Sequence, residues 1–281
     1  MHRADPGVVL GLYRSGHDRQ LLEEALSLGV RAIDTAANYR DFTSHRTLAR
    51  LAADLLPEFT ISTKVGFHRS GHSLNPAALH ESVERSVTDL GRAPDVVLLH
   101  NPEHTLARLS HDEGRELLAA ACEALEDATK AGLCKQWGFS IWNPHPLLPL
   151  INPTAPTPKV LMTRAGLLVD ADTLAAVETL SAVLAIAPSD RWGMAPFGGD
   201  TTLEVWRAFD TRTFLSEGDE CTTVQAAFRV SYEIPKVARI AVGTSSPSHL
   251  RALVEATTLG VDLAVVSRYR ALLNEQAAAR S

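Results

Sequence analysis

Apolar residues recur along this chain in two alternating rhythms. Short runs rich in Val, Ile and Leu, at 8–13, 30–34, 59–64 and 96–100, have the length of buried strands. Between them lie stretches whose apolar residues fall three and four apart, the spacing of one helix face. Leu21, Leu22, Ala25 and Leu26 make such a stripe over 18–28, with Asp18 placed as an N-cap and Gly29 as the stop. Leu48, Leu51, Ala52 and Leu55 mark a second helix over 44–56, and Asn75-Pro76 offers a cap and a first-turn proline for a third reaching about Leu90. The alternation continues with a helix over 112–131 stopped by Gly132, a strand at 136–140, a short helix after Asn143-Pro144, and a strand at 160–164. A helix over 171–184, a strand at 192–196, a helix over 222–232, a strand at 238–242 and helices over 247–259 and 264–279 complete it.

Eight strands, each followed by helical sequence at roughly 30 to 40 residues per unit, predict a (β/α)₈ barrel of the TIM type, α/β in class, as one domain over 1–281. The proline-bearing linker at 152–158 is too short to separate domains. A doubly wound open sheet is the rival, but no G-x-G-x-x-G follows the first strand, since Gly11 and Gly16 are wrongly spaced.

Composition narrows the picture. The 281 residues are 45% hydrophobic, enough for a full core and against disorder. A net charge of −6 with charges interspersed and no basic block makes nucleic acid an unexpected partner. Cys122, Cys134 and Cys221 are odd in number and lack C-x-x-C spacing, so a reducing cytoplasm is expected. The start Met1-His2-Arg3-Ala4-Asp5-Pro6 has no apolar signal core and no run reaches the length of a membrane span, so neither export nor a membrane is expected.

The chemistry lies at the strand ends. Asp34, Lys64, His100 and Ser140 each close a strand, which in a barrel places them at the C-terminal mouth, and Tyr39 follows Asp34 by five residues. A phenol is a poor acid at neutral pH, but a neighbouring ammonium lowers its pKa, and a carboxylate paired to that ammonium keeps it charged and in place. A histidine beside the same point can orient a carbonyl oxygen. Together, Tyr39, Lys64, Asp34 and His100 would stabilise negative charge growing on a carbonyl oxygen, which suits hydride transfer to an aldehyde or ketone. His68 and His72, after Lys64, are expected to face solvent, and no metal site is expected.

With DTAANY after strand two, ISTKVG at strand three and VVLLHNPE at strand four, the set Asp34, Tyr39, Lys64, His100 resembles that of the aldo-keto reductase family. SVERSVTDLG at 82–91, WGFS at 137–140 and VGTSSPSHL at 242–250 extend the resemblance over nearly the whole chain. It implies a (β/α)₈ barrel that reduces a small-molecule carbonyl with NADPH, less often NADH. Tyr39 would be the proton donor, Lys64 and Asp34 would tune it, and His100 would orient the substrate. The implied cofactor contacts are Ser140, a cover of Phe197 and Gly198 over the pyrophosphate, the loop Gly243, Thr244, Ser245 and Ser246 ahead of a helix opened by Pro247, and His249 or Arg251 near the adenosine end. Tyr13 and Trp142 are expected in the substrate pocket.

The departures from the family pattern fall on the cofactor side. Ser140-Ile141 stands where Ser-Asn is usual, Met162 where a glutamine is usual, and Met194 where an aromatic ring commonly stacks on the nicotinamide. His249 and Leu253 fall where an arginine and an asparagine hold the adenosine phosphate and adenine, and Tyr39 lacks the usual following Gly-x-Ser-Glu. Two further readings therefore stand beside the reductase: a non-redox lyase, isomerase or cyclase on the same barrel acting on a natural-product intermediate, and a barrel serving as an assembly or regulatory subunit.

Overall fold

The apolar runs fold into strands whose side chains alternate between a helix-facing surface and the barrel axis, as the two-residue period of a strand requires. In a computed structural model describing residues 5–218 and 220–279, eight parallel strands close into a barrel. They are β1 (Val8–Gly11), β2 (Ala32–Asp34), β3 (Thr60–Val65), β4 (Val96–His100), β5 (Gln136–Ile141), β6 (Val160–Arg164), β7 (Arg191–Met194) and β8 (Arg239–Gly243). Neighbours in sequence pair in space, and β8 closes on β1 with Gly243 opposite Gly11. The fold is the expected (β/α)₈ barrel.

Inside the barrel, Val9, Ala32, Val96, Leu98, Val160, Met162, Trp192 and Ala241 form one buried cluster. The residues between them, such as Leu10, Ile33, Ile61, Val97 and Phe139, point outward and pack under the helices. The axial cluster contains Ala32, Val96 and Leu98, so the same period aims Asp34 and His100 inward one or two steps later, at the mouth. Residue type follows depth: apolar at the floor, ionisable at the rim.

The surrounding helices are α1 (Arg19–Ser27), α2 (Ser44–Ala52), α3 (Pro76–Leu90), α4 (His111–Lys130), α5 (Ala171–Val183), α6 (Thr223–Val230), α7 (Pro247–Ala256) and α8 (Leu263–Ala278). Asp18 and Asn75 cap α1 and α3 as expected, and Ser110 with Glu113 forms a capping box on α4. The helix expected after Asn143-Pro144 is absent. Pro144, Pro146 and Pro149 remove three backbone donors within six residues, so the chain makes turns and one 3₁₀ turn at Leu148–Leu150, with Leu147 and Leu150 buried as a helix face would be.

Several short elements have no counterpart in the sequence pattern, among them the helical turns Glu103–Leu106, Val205–Ala208 and Thr211–Phe214. An antiparallel hairpin pairs Phe67 with His72 and His68 with Gly71 directly after β3. After Tyr39, Arg40, Asp41 and Phe42 lie in succession in the left-handed region, at φ of 53°, 51° and 61°. Each such residue costs about 1–2 kcal/mol, so tertiary contacts must hold the turn. Residues 1–4, part of the N-terminal segment read above, lie outside the described residues. No helix among the described residues is long and apolar enough to cross a membrane.

Candidate active site

Asp34, at the end of β2, and Lys64, one residue before the end of β3, are 4% and 2% exposed and form an ion pair. An ammonium has three protons and no lone pair. Lys64 donates one to Asp34, one to the Thr35 carbonyl at 2.9 Å and one to the Tyr39 phenol oxygen at 3.1 Å. The other Asp34 oxygen accepts from Ser62 Oγ at 2.8 Å. Since Tyr39 Oη accepts from Lys64, its own proton is free to point into the cavity. The sequence reading brought these three side chains together, and so does the structure.

Burial pulls the Lys64 pKa down, but the charge of Asp34 and the contact with Tyr39 outweigh it and leave it above the usual value. Tyr39 corrects an expectation. Lys64 does favour the phenolate, but burial, reinforced by Asp34, wins, and the phenol pKa is raised. Tyr39 is therefore a fully protonated acid at neutral pH.

His100 closes β4 opposite Ser140 of β5. Its ring lies 6.1 Å from that of Tyr39, centroid to centroid, and its buried Nδ1 has no hydrogen-bond partner among the described residues. Burial, then Lys64, His72 and His104, hold its pKa well below the ordinary imidazole value, so it is neutral. A neutral imidazole offers one donor and one acceptor, which suits orienting a carbonyl or hydroxyl oxygen.

A cavity of about 660 Å³ opens above this set and is lined by all four residues. Ser140, Phe197, Gly243, Tyr13 and Trp142 line it too. Among the described residues Ser140 Oγ meets only weak sulfur acceptors, Met162 Sδ at 3.8 Å and Met194 Sδ at 3.9 Å, so its hydroxyl is available to a stronger partner. Tyr13, 64% exposed, lays its ring 5.0 Å from that of Tyr39, and Trp142 stands at the rim under the Arg164 guanidinium, 5.2 Å away.

The remaining predicted residues lie off the cavity. Gly198 takes a left-handed turn at φ 67°, where a Cβ would come within 2.8 Å of Leu168. Thr244 Oγ1 accepts from the Ser246 amide and Ser246 Oγ from the His249 amide, capping α7, while Ser245 and His249 face solvent. Arg251 pairs with Glu24 of α1.

Sequence reasoning missed several groups. Arg14 lines the cavity and donates to the Gly199 carbonyl at 2.9 Å across the mouth. Glu103, nearly buried, accepts from the Trp142 and Asn143 amides at 2.7 and 3.0 Å and so fixes the Trp142 loop. Behind Lys64, buried His17 bonds Ser44 at 2.6 Å, which bonds Thr35 at 2.6 Å, and buried His45 bonds Thr63 at 2.8 Å. Of these, only Glu103 had a visible cue, the acidic residue in VVLLHNPE. His68 and His72, expected in solvent, are half-buried, and no metal-binding group of side chains occurs among the described residues.

Residues 13–149, just under half of the chain, match the sequence model of the Aldo/keto reductase family, so the resemblance read from the sequence is shown over that stretch. A curated relative in Schizosaccharomyces pombe, the "Uncharacterized oxidoreductase C28F2.05", is 29% identical over 161 residues, 53% of this chain. The chain spans about half the length of that relative, 51%. Among solved structures, the holo form of aldo-keto reductase AKR11C1 from Bacillus halodurans superposes with a TM-score of 0.71 at 18% identity, over 95% of this chain and 91% of that one. An aldo-keto reductase from Klebsiella pneumoniae in complex with NADPH gives 0.69 at 17% identity, over 96% and 91%. These likenesses carry the fold.

Proposed function

We propose, from the aldo/keto reductase family match over residues 13–149, that the whole chain works as one barrel that reduces an aldehyde, ketone or sugar-like carbonyl with a nicotinamide cofactor. One observation carries the reading: all three Lys64 protons are spent, which turns the Tyr39 proton toward the cavity. Bound cofactor would supply the hydride to the carbonyl carbon. His100 holds the carbonyl oxygen, and Tyr39 protonates it as charge develops there. The raised phenol pKa is no obstacle, because an alkoxide is a far stronger base than a phenolate. Lys64, backed by Asp34, then stabilises the phenolate left behind, and Tyr39 takes its next proton from solvent at the open mouth.

The free Ser140 hydroxyl fits a carboxamide at the nicotinamide end, and Phe197, on the cavity wall, would cover the pyrophosphate. The loop 243–246 ahead of α7 would receive a phosphate chiefly through the helix dipole, since the Thr244 and Ser246 hydroxyls already take the Ser246 and His249 amides. The NADPH-bound relative from Klebsiella pneumoniae favours NADPH over NADH. A 2′-phosphate would compete with Glu24 for Arg251. Titrating the protein with NADPH and following tryptophan emission, to which Trp142 in the cavity contributes, tests the reading. Saturable quenching is expected, and its absence at high micromolar NADPH would sink the proposal.

A second reading, a non-redox lyase, isomerase or cyclase, draws on the Met162 and Met194 thioethers that meet Ser140 where polar and aromatic cofactor contacts are usual in the family. Turnover of a substrate in the absence of any nicotinamide would favour it.

A further inference from the structure

His100 is the last residue of β4, and its neighbour on the β3 side would follow Val65, which pairs with Leu99. The chain has already turned away there, through Gly66 at φ 126°. The His100 carbonyl is thus left without a backbone donor from β3, at a residue whose side chain lines the cavity. The hairpin that follows supplies one. It folds back so that His72 Nε2 lies 2.8 Å from the His100 carbonyl oxygen, while His72 Nδ1 lies 2.7 Å from Thr105 Oγ1.

A carbonyl oxygen only accepts, so His72 carries its proton on Nε2, and Nδ1 accepts from the Thr105 hydroxyl. The same hairpin packs the Phe67 ring edge-on against both imidazoles, with centroids 4.6 Å from His72 and 4.9 Å from His100. Gly66 makes the approach possible, since a Cβ there would sit 3.2 Å from His72 Nε2 in a strained backbone. Arg69 at the hairpin tip pairs with Asp41 and lies over the Phe42 ring, within the left-handed turn that follows Tyr39. One hairpin thus touches the backbone behind both the proton donor and the orienting histidine.

We propose that His72 is a positioning residue for His100: its Nε2–H replaces the missing strand donor and fixes the direction in which the His100 imidazole meets the substrate oxygen. Burial lowers the His72 pKa, the bond to the His100 carbonyl opposes this, and His104, His68 and Arg108 add to the lowering, so the neutral tautomer persists at neutral pH. The assignment of substrate to His100 rests on the function proposed above. The link between the two histidines does not.

The test compares His72→Ala with His72→Gln, whose side-chain amide can still donate to the carbonyl. Long-range ¹H–¹⁵N spectra of the histidine rings, with the His100 signals identified by their loss in His100→Asn, are recorded beside NADPH-dependent turnover of 4-nitrobenzaldehyde. His72→Ala is expected to shift the His100 ring signals and lower kcat about tenfold while the NADPH Kd stays within about twofold, and His72→Gln to restore both. If the wild type turns nothing over, the spectra alone decide. Unchanged His100 signals in His72→Ala would overturn the proposal, as would equal losses in both variants. Should His72→Ala not fold, Thr105→Val, which removes the Nδ1 partner and leaves the Nε2–H in place, must shift the His72 and His100 signals together, and a shift confined to His72 refutes the coupling.

Discussion

On the β2 and β3 side of the cavity, Asp34, Lys64 and Tyr39 satisfy one another in a buried network, with Ser62 and the Thr35 carbonyl completing it. Across the cavity, on β5 to β8, Ser140 faces two thioethers and Arg251 is paired away from the mouth. Under the proposed function the first side would pass on a proton with no further rearrangement. The second offers an open cavity wall but few polar side chains left without a strong partner among the described residues. The contrast separates two demands: proton delivery needs preorganised charge, whereas a dinucleotide can be held by shape and main chain.

The contrast breaks most sharply at Lys64. Lys64→Met should abolish turnover and lower stability by about 3–5 kcal/mol, because Asp34 is left charged, buried and unpaired. Denaturant unfolding beside a rate assay checks both, and near-native stability would show that the pair is not what holds this side together.

Acid probes the same side more gently. Burial above all holds His45 down to about 4, from an ordinary 6.5, so between those values the unfolded chain binds more protons than the folded one. The stability His45 confers is present above about 6.5 and lost as pH falls toward 4, by about 3 kcal/mol. Buried His17 and His100 act in the same direction. His45→Gln should flatten that slope in unfolding midpoints measured across pH.

On the side where the proposed function puts the cofactor, the expected changes are gains. Met194→Phe places a ring where a thioether now meets Ser140, and stacking worth about 0.5–1.5 kcal/mol should tighten NADPH by roughly 2- to 12-fold. Glu24→Gln releases Arg251 and should tighten NADPH about twofold while leaving NADH unchanged, since an exposed ion pair is worth about 1 kcal/mol or less. Equal effects on the two cofactors would remove Arg251 from the phosphate site.

Much of this was legible in the sequence because strands and helices write their period directly. Asp34, Lys64, His100 and Ser140 could be placed at one rim from strand ends alone, and β4 and β6 lie where their apolar runs put them. What the sequence hid were effects of three-dimensional company. The Phe67–His72 hairpin is too short to show a period, and the left-handed run at Arg40 to Phe42 contains no glycine to announce it. Burial, invisible in a sequence, outweighs the ammonium beside Tyr39 and reverses the direction of its shift. Arg251 looked available until folding set it against Glu24, 227 positions away.

The most direct test of the account is the rate of NADPH oxidation with an aldehyde such as 4-nitrobenzaldehyde, compared between the wild type and Tyr39→Phe. Removing only the phenol oxygen should lower kcat by about 10²- to 10⁴-fold, the range for loss of a general acid, with the NADPH Kd unchanged. Turnover by Tyr39→Phe at the wild-type rate would contradict it.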